Sequence, residues 1–247
     1  MSVSFDFTGK KILVTGGSQG IGLDISKRLA KSGARVYALA RNETALKALV
    51  DEFPTVTPIV CDVSAKSAVI EKALKPHHPF DGLVNNAGIA ILQPALDADQ
   101  ESIDKILTVN LRAPIVLAGI IAKEMISNGV KGSIVNMSSQ ASLRPIDDHI
   151  AYCSSKAGLD MATRVMAREW GKSGIRVNTV NPTVVLTEMG KKNWSDKDKA
   201  GPLLQQIPLG HFAEPNDVTS SVLFLLSDSS SLTTGSALPV DGGYSAN

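Results

Sequence analysis

The chain has 247 residues, 43% of them hydrophobic and 20% charged, a balance that fits one compact domain with a sizeable core and excludes a disordered or fibrous chain. Its 25 basic and 24 acidic residues leave a net charge of +1 with no long basic block, which argues against nucleic acid as a partner and for a small molecule. Cys61 and Cys153 are too few for a disulfide framework and lack metal-ligand spacing, so no metal is expected and a cytoplasmic, reducing setting is.

The N-terminal MSVSFDFTGKKILVTGG has no long apolar run ahead of a cleavage site and does not read as a secretory signal. KILVT at 11–15 reads as a strand that runs directly into TGGSQGIG, and a helical pattern follows over Ile21–Lys31. Gly16, Gly20 and Gly22 permit a tight turn and let the backbone approach a pyrophosphate, whose charge the helix N-terminus stabilises. The second strand, ARVYALA at 34–40, is followed by Arg41. An acid at that place commonly holds the ribose 2′-hydroxyl of NAD; a base there can pair with a 2′-phosphate instead, which favours NADP(H).

A helix over Thr44–Glu52 and a strand TPIV at 57–60 come next, with Asp62 just beyond the strand. GLVNN at 82–86 closes on Asn85-Asn86-Ala87-Gly88. Asp62 can accept from an adenine amino group, and the asparagines can fasten neighbouring strands while the backbone passes close to a ribose. Ordinary turn chemistry explains these residues equally well. His77 and His78, in the KPHHPFDG loop, are expected to be solvated.

Ala113–Asn128 reads as a helix whose most apolar run, Ile115–Ala122, is shorter than the ~18–20 residues needed to cross a bilayer. It is expected to be a buried helix and not a transmembrane segment. Strands GSIVNM at 132–137, IRVNTV at 175–180 and SALPV at 236–240 bring the count to seven, with helices over Ala151–Lys172 and Pro215–Leu226 between them. This alternation predicts an α/β fold: a doubly wound seven-stranded parallel sheet with helices on both faces, binding ligands at the carboxyl ends of its strands. Residues 187–206 are polar, charged and poorly periodic, either a charged surface helix or a flap over a site.

YCSSK at 152–156 sets Tyr152 and Lys156 on one face of a helix. With TGGSQGIG, NNAG, Asn110 in VNL, and Ser139 thirteen residues before Tyr152, this order of motifs resembles the short-chain dehydrogenase/reductase family across essentially the whole chain. The resemblance implies a single-domain Rossmann fold, NADPH/NADP+ as coenzyme, a small carbonyl substrate, a homotetramer, and a catalytic set of Asn110, Ser139, Tyr152 and Lys156. It also implies coenzyme contacts from Gly16, Ser18, Gln19, Gly20, Ile21, Gly22, Arg41, Asp62, Asn86, Ala87, Gly88, Tyr152, Lys156, Val185 and Thr187. Two positions depart from the family pattern: Gln19, where many NADPH-using relatives carry a base, and Thr183, where relatives usually have glycine.

The chemistry supports that set. Hydride arriving at a carbonyl carbon leaves a strongly basic alkoxide, so an acid must protonate the oxygen as it forms. Tyr152 can donate, and Lys156 is expected to lower the phenol from its ordinary pKa of about 10. Ser139 is placed to hydrogen-bond the same oxygen. Asn110 resembles the residue that, through a local bend in its helix, holds a water linking the lysine to solvent. For the substrate side the candidates are Ser139, Gln140, His149, Tyr152 and Trp194; for His149 and Trp194 surface or subunit packing is the competing reading. Two rival functions stay open at this level: a 3-ketoacyl or other carbonyl reductase of the same family, and a nucleotide-binding sensor or scaffold without turnover.

Overall fold

Strands form where apolar and β-branched residues concentrate: β1 (Lys11–Thr15), β2 (Arg35–Ala40), β3 (Thr57–Val60), β4 (Gly82–Asn85), β5 (Ser133–Met137), β6 (Arg176–Pro182) and β7 (Ala237–Val240). The computed structural model describes residues 4–194 and 196–246, and in it these seven strands make one parallel sheet of order β3-β2-β1-β4-β5-β6-β7. Val14 of β1 lies beside Ala38 of β2 and Val84 of β4. The chain order therefore reverses at β1, and the connections leaving β1 and β4 lead to helices on opposite faces of the sheet, which leaves a crevice at the carboxyl edge.

Successive strand residues feed opposite faces. Ile12 and Val14 enter one apolar cluster with Val36, Ala38, Val84 and Val135, while Leu13 enters the other with Leu39, Leu83 and Ile134. Burial on both faces explains why the strands read as continuous apolar runs, and each fully buried leucine or isoleucine contributes about 1.5–3 kcal/mol. Helices α1 (Gly20–Lys31) and α2 (Glu43–Glu52) cover the first face together with the late helix Pro215–Leu226. Helix α3 (Ser67–Leu74) lies on the second face.

Helix α3 and the next one, α4 (Gln100–Leu107), are absent from the expected elements, and the reason is physical. Eight residues each, they bury only Ile70 and Leu74, and only Ile106, which leaves too few apolar positions for a periodic signature. The start of α4 is set by Asp99, whose carboxylate accepts from the Ser102 N–H at 2.8 Å. Through a π-turn at Thr108–Arg112, α4 continues into α5 (Ala113–Ser127). The continuous 28-residue helix is long and apolar enough to cross a membrane by length and composition, yet its Leu117, Ala118, Ile121 and Met125 are buried in the second-face cluster.

Helix α6 (Ile150–Trp170) packs beside α5. Residues 187–206 form two short helices, α7 (Glu188–Trp194) and α8 (Lys197–Leu204), before α9 (Pro215–Leu226). Ser195 lies outside the described residues, as do the side chains of Met189, Lys192, Asn193, Lys197 and Lys199. A third apolar cluster of Ala200, Leu203, Ile207, Phe212 and Tyr244 ties α8 to the C-terminal segment. The histidine loop is not simply solvated: His77 packs against the Tyr37 ring at 5.1 Å and His78 stands edge-on to Phe80 at 5.2 Å. Both outer strands carry a proline, Pro58 in β3 and Pro239 in β7.

Candidate active site

The glycine loop joins β1 to α1 at the crevice. Gly16 and Gly20 take positive φ values of 63° and 54°, which favour residues without a side chain. A Cβ on Gly22 would stand 2.2 Å from the Gly16 carbonyl oxygen and 2.4 Å from Asn86 Nδ2, so loop and helix start touch backbone to backbone with the Asn86 side-chain amide pressed against both. Thr15 closes the clamp: its hydroxyl accepts from the N–H groups of Asn86 and Ala87 at 3.0 and 3.1 Å, while Asn86 Nδ2 donates to the Thr15 carbonyl at 3.0 Å. Gln19 stands at the helix cap with no side-chain cap hydrogen bond among the described residues, Ser18 is buried beside it, and the first N–H groups of α1 lie at the positive end of the helix dipole. A cradle that any side chain would fill, over an uncapped helix start, fits a dinucleotide pyrophosphate.

Arg41 and Asp62 flank that cradle. The Arg41 guanidinium is largely exposed and lies 3.6 Å from the Asp62 carboxylate. Asp62 is already engaged, accepting from the Ser64 N–H at 2.8 Å and hydroxyl at 2.7 Å. Burial pushes its carboxyl up, but the Ser64 bonds and Arg41 outweigh burial and hold it below the ordinary carboxylate range. On the opposite side Thr187 reaches over the loop, its methyl 3.5 Å from where a Gly20 Cβ would be, and Val185 is buried and bridged to Ala213.

Asn110 sits in the π-turn and is fully buried. The widened turn aims its amide out of the helix ladder, where Nδ2 donates to the Ile89 carbonyl at 2.8 Å and Oδ1 accepts from the Ile89 N–H at 2.9 Å. A Cβ at Gly88 would lie 3.5 Å from Asn110 Oδ1 and 3.6 Å from Lys156 Nζ, so the end of β4, the π-turn and α6 converge on one point. Lys156 is buried and donates to the Met137 carbonyl at 2.6 Å, with its Nζ 5.6 Å from the Tyr152 ring centre. The Ser139 hydroxyl accepts from the Ala141 N–H at 3.1 Å, which leaves its own hydrogen to donate, and it faces the Tyr152 phenol. Asn85 fastens β4 to β5 through Asn136 at 2.8 Å, and Asn136 in turn reaches Thr163 of α6 at 2.8 Å.

The expected effect of Lys156 on Tyr152 is not what the structure gives. Burial pushes the phenol above its ordinary pKa, the Ser139 hydrogen bond opposes that rise, and the Cys153 thiol adds to it. Lys156 is itself pushed down to about 8 by burial, against the Asp160 carboxylate, which works to raise it. Low polarity around both groups thus outweighs the attraction between phenolate and ammonium that the sequence reading relied on.

On the substrate side, His149 stands beside Tyr152, ring centres 6.0 Å apart and nearly perpendicular, with Nδ1 at 2.6 Å from the Asp147 carbonyl oxygen. Gln140 is buried on the Ser139 turn, and its Oε1 has no protein partner among the described residues. Trp194 is not brought to Tyr152 by any of these contacts; it stacks edge-on against Phe212 at 5.7 Å in the third cluster. Sequence reasoning missed Asp160 and Asn181. Asp160 is buried and accepts from Ser142 at 2.6 Å and Asn181 at 2.9 Å; its position four residues past Lys156, on the same helix face, was the available signal.

Residues 16–245 match the family profile described as enoyl-(acyl carrier protein) reductase. The chain belongs to the short-chain dehydrogenase/reductase family. Among the relatives of this reductase, the L-xylulose reductase of Caenorhabditis elegans is 54% identical, covering 100% of each chain. The D-erythrulose reductase of Gallus gallus is 49% identical over 99% of each. A solved gluconate 5-dehydrogenase from Beutenbergia cavernae, described as putative, NAD(P)-dependent and holding NADP, superposes with a TM-score of 0.92 at 32% identity, covering 99% of this chain and 100% of that one.

Proposed function

We propose that this family member is an NADPH-dependent reductase of short ketoses, converting L-xylulose to xylitol and also taking small α-dicarbonyls such as diacetyl. The observation that carries the reading is the convergence of Asn110, Lys156 and Gly88 at one point, with Tyr152 and Ser139 on the adjoining turn of α6 and the end of β5. The match to the ketose reductases spans essentially the whole chain, and so takes in residues 91–96, 138–142, 152–161, 181–190, 193–200 and 207–214, the stretches that this reading places around the pocket, which bears on the substrate as well as the coenzyme.

The loop of Gly16, Ser18, Gln19, Gly20, Ile21 and Gly22 holds the pyrophosphate, Arg41 the 2′-phosphate, Asp62 the adenine, and Asn86, Ala87, Gly88, Tyr152 and Lys156 the riboses. Val185 and Thr187 meet the nicotinamide carboxamide. Bound NADPH supplies the hydride; the protein's part is to orient the carbonyl and deliver a proton. Tyr152 gives its phenolic proton to the carbonyl oxygen, Ser139 donates a hydrogen bond to that oxygen, and Lys156 makes good the proton from solvent through a water that Asn110 holds in place. Gln140, His149 and Trp194 form the polyol side, and residues 187–206 act as a flap over it. Four copies assemble through the C-terminal segment SALPVDGGYSAN and through α5 and α6, whose Ile115, Met161 and Val165 expose apolar surface, and a monomer in light scattering would contradict this. With Cys61 and Cys153 both free, the enzyme suits a reducing cytoplasm.

Steady loss of NADPH absorbance across a panel of L-xylulose, diacetyl, steroids and acyl thioesters tests the assignment: the ketose and dicarbonyl turn over, and a clear preference for thioesters or steroids overturns the substrate. Binding of NADPH with no turnover of any carbonyl would favour the sensor reading. The same assay with NADH reads the coenzyme. Guanidinium–phosphate pairing is worth about 1.5–3 kcal/mol, roughly tenfold or more in affinity, so NADPH is preferred and Arg41→Asp reverses the preference.

The alkaline limb of kcat/KM follows from Lys156. Reduction needs its ammonium form, present below about 8 and lost above it, while the raised phenol of Tyr152 keeps its proton. Activity is therefore full below about pH 8 and falls roughly tenfold per unit above it. A limb that begins only above the ordinary phenol value of about 10 would assign the loss to Tyr152 instead.

A further inference from the structure

We propose that Asp160 is a positioning residue for the reduction, a buried carboxylate that holds the Ser139–Ser142 turn and the end of β6 against the Tyr152–Lys156 face of α6. The inference rests on the reading that Ser139, Tyr152 and Lys156 carry the chemistry.

Asp160 follows Lys156 by one helical turn, so both project from the same side of α6. A single oxygen, Oδ2, gathers two other segments: it accepts from Ser142 Oγ at 2.6 Å and from Asn181 Nδ2 at 2.9 Å. Ser142 Oγ is also 2.7 Å from the Ser139 carbonyl oxygen, and Asn181 Nδ2 lies 2.9 Å from Ser142 Oγ and 3.4 Å from that same carbonyl. The amide of Asn181 is fixed the right way round because its Oδ1 accepts from Thr179 at 2.8 Å. Helix, serine turn and strand end are thereby tied at one atom, and the tie passes directly beneath the backbone of Ser139.

A carboxylate is an expensive choice for a brace. Asp160 is 7% exposed, and its other oxygen, Oδ1, has no protein partner among the described residues. An amide or a hydroxyl could brace three segments without burying a charge, which costs several kcal/mol when poorly paired. What the carboxylate adds is a strong acceptor for two donors at once and a negative charge near Lys156, which opposes the loss of the ammonium form on burial.

Three variants separate positioning from plain structural support: Asp160→Ala, Asp160→Asn and Ser142→Ala, each assayed for kcat, KM for L-xylulose, NADPH affinity by fluorescence titration, and thermal midpoint. Displacing the Ser139 turn costs a factor approaching ~10² in kcat, so Asp160→Ala falls by that order while NADPH affinity stays within about twofold. Asp160→Asn, whose amide oxygen can accept from Ser142 and Asn181, recovers most of the loss, and Ser142→Ala falls between the two. Unchanged kcat in Asp160→Ala and Ser142→Ala overturns the proposal. So does an Asp160→Asn no better than the alanine variant, or a fall in kcat that merely tracks lost folded protein and lost NADPH binding. If Asp160→Ala does not fold, the other two variants decide the matter alone. Wild-type turnover in Tyr152→Phe would instead remove the reading beneath it, whatever the Asp160 variants do.

Discussion

Tyr152→Phe lowers the turnover of carbonyl reduction by roughly 10²–10⁴-fold, about 3–5 kcal/mol of transition-state stabilisation, while the affinity for NADPH stays within about twofold. The change removes one oxygen and its proton and almost no volume. The ring still packs edge-on to His149 and beneath Lys156, so the pocket keeps its shape and the loss reports the proton alone. Because burial raises the phenol, the proton is present throughout the neutral range, and no choice of pH in that range rescues the variant. Lys156→Met behaves differently, losing turnover and coenzyme affinity together, since its ammonium stands near both Gly88 and the tyrosine ring. Stopped-flow reduction of diacetyl with a fluorescence titration of NADPH reads both quantities. Wild-type turnover in the phenylalanine variant would sink the acid assignment.

Gly22→Ala, one methyl group, abolishes tight coenzyme binding. Its Cβ would sit 2.2 Å from the Gly16 carbonyl oxygen and 2.8 Å from the Gly16 carbonyl carbon, and backbone cannot swing aside as a flexible side-chain tip can. Relief requires the turn to open, which moves the helix start away from the pyrophosphate and breaks the contact with Asn86. The expected loss of NADPH affinity is tenfold or more, with overpacking of about 1–3 kcal/mol and a midpoint lower by roughly 2–12 °C. A titration in which the alanine variant binds NADPH like the parent would show that the loop is not the phosphate cradle. Gly129, whose Cβ would meet nothing within 4 Å, is not a matching control because its φ is 66°; Gly171, in open space without a positive φ, is.

The fold was legible because both faces of the sheet are buried. Runs such as KILVT and GSIVNM are apolar at successive positions, which a half-exposed strand would not be, and the first strand's limits match the structure residue for residue. The glycine loop was legible for a steric reason, since few residues other than glycine tolerate the backbone it needs. What remained hidden is either weakly marked in the chain or depends on partners far away in sequence. Helix α4 owes its start to one aspartate and its burial to Ile106 alone. The upward shift of Tyr152 reflects low polarity supplied by the whole pocket, whereas a sequence displays only the neighbouring charge of Lys156. Asp160 reads as an ordinary polar residue on a helix until Ser142 and Asn181 are folded against it, from 18 and 21 residues away. Trp194 stands out in the sequence as bulky in a polar segment, but its packing partner, Phe212, lies 18 positions downstream and is not marked there.

Pro58 and Pro239 give the two outermost strands a property the central ones lack. An exposed strand edge is a row of backbone donors and acceptors that invites a stray strand from another molecule, and seven parallel strands bring two such rows. Proline has no N–H to offer, so each row is broken near its middle. The molecule is thereby guarded against fibrous growth by sheet extension. Contacts between side chains on helices, unlike strand pairing at an open edge, can close into a finite ring of symmetry instead of continuing without end.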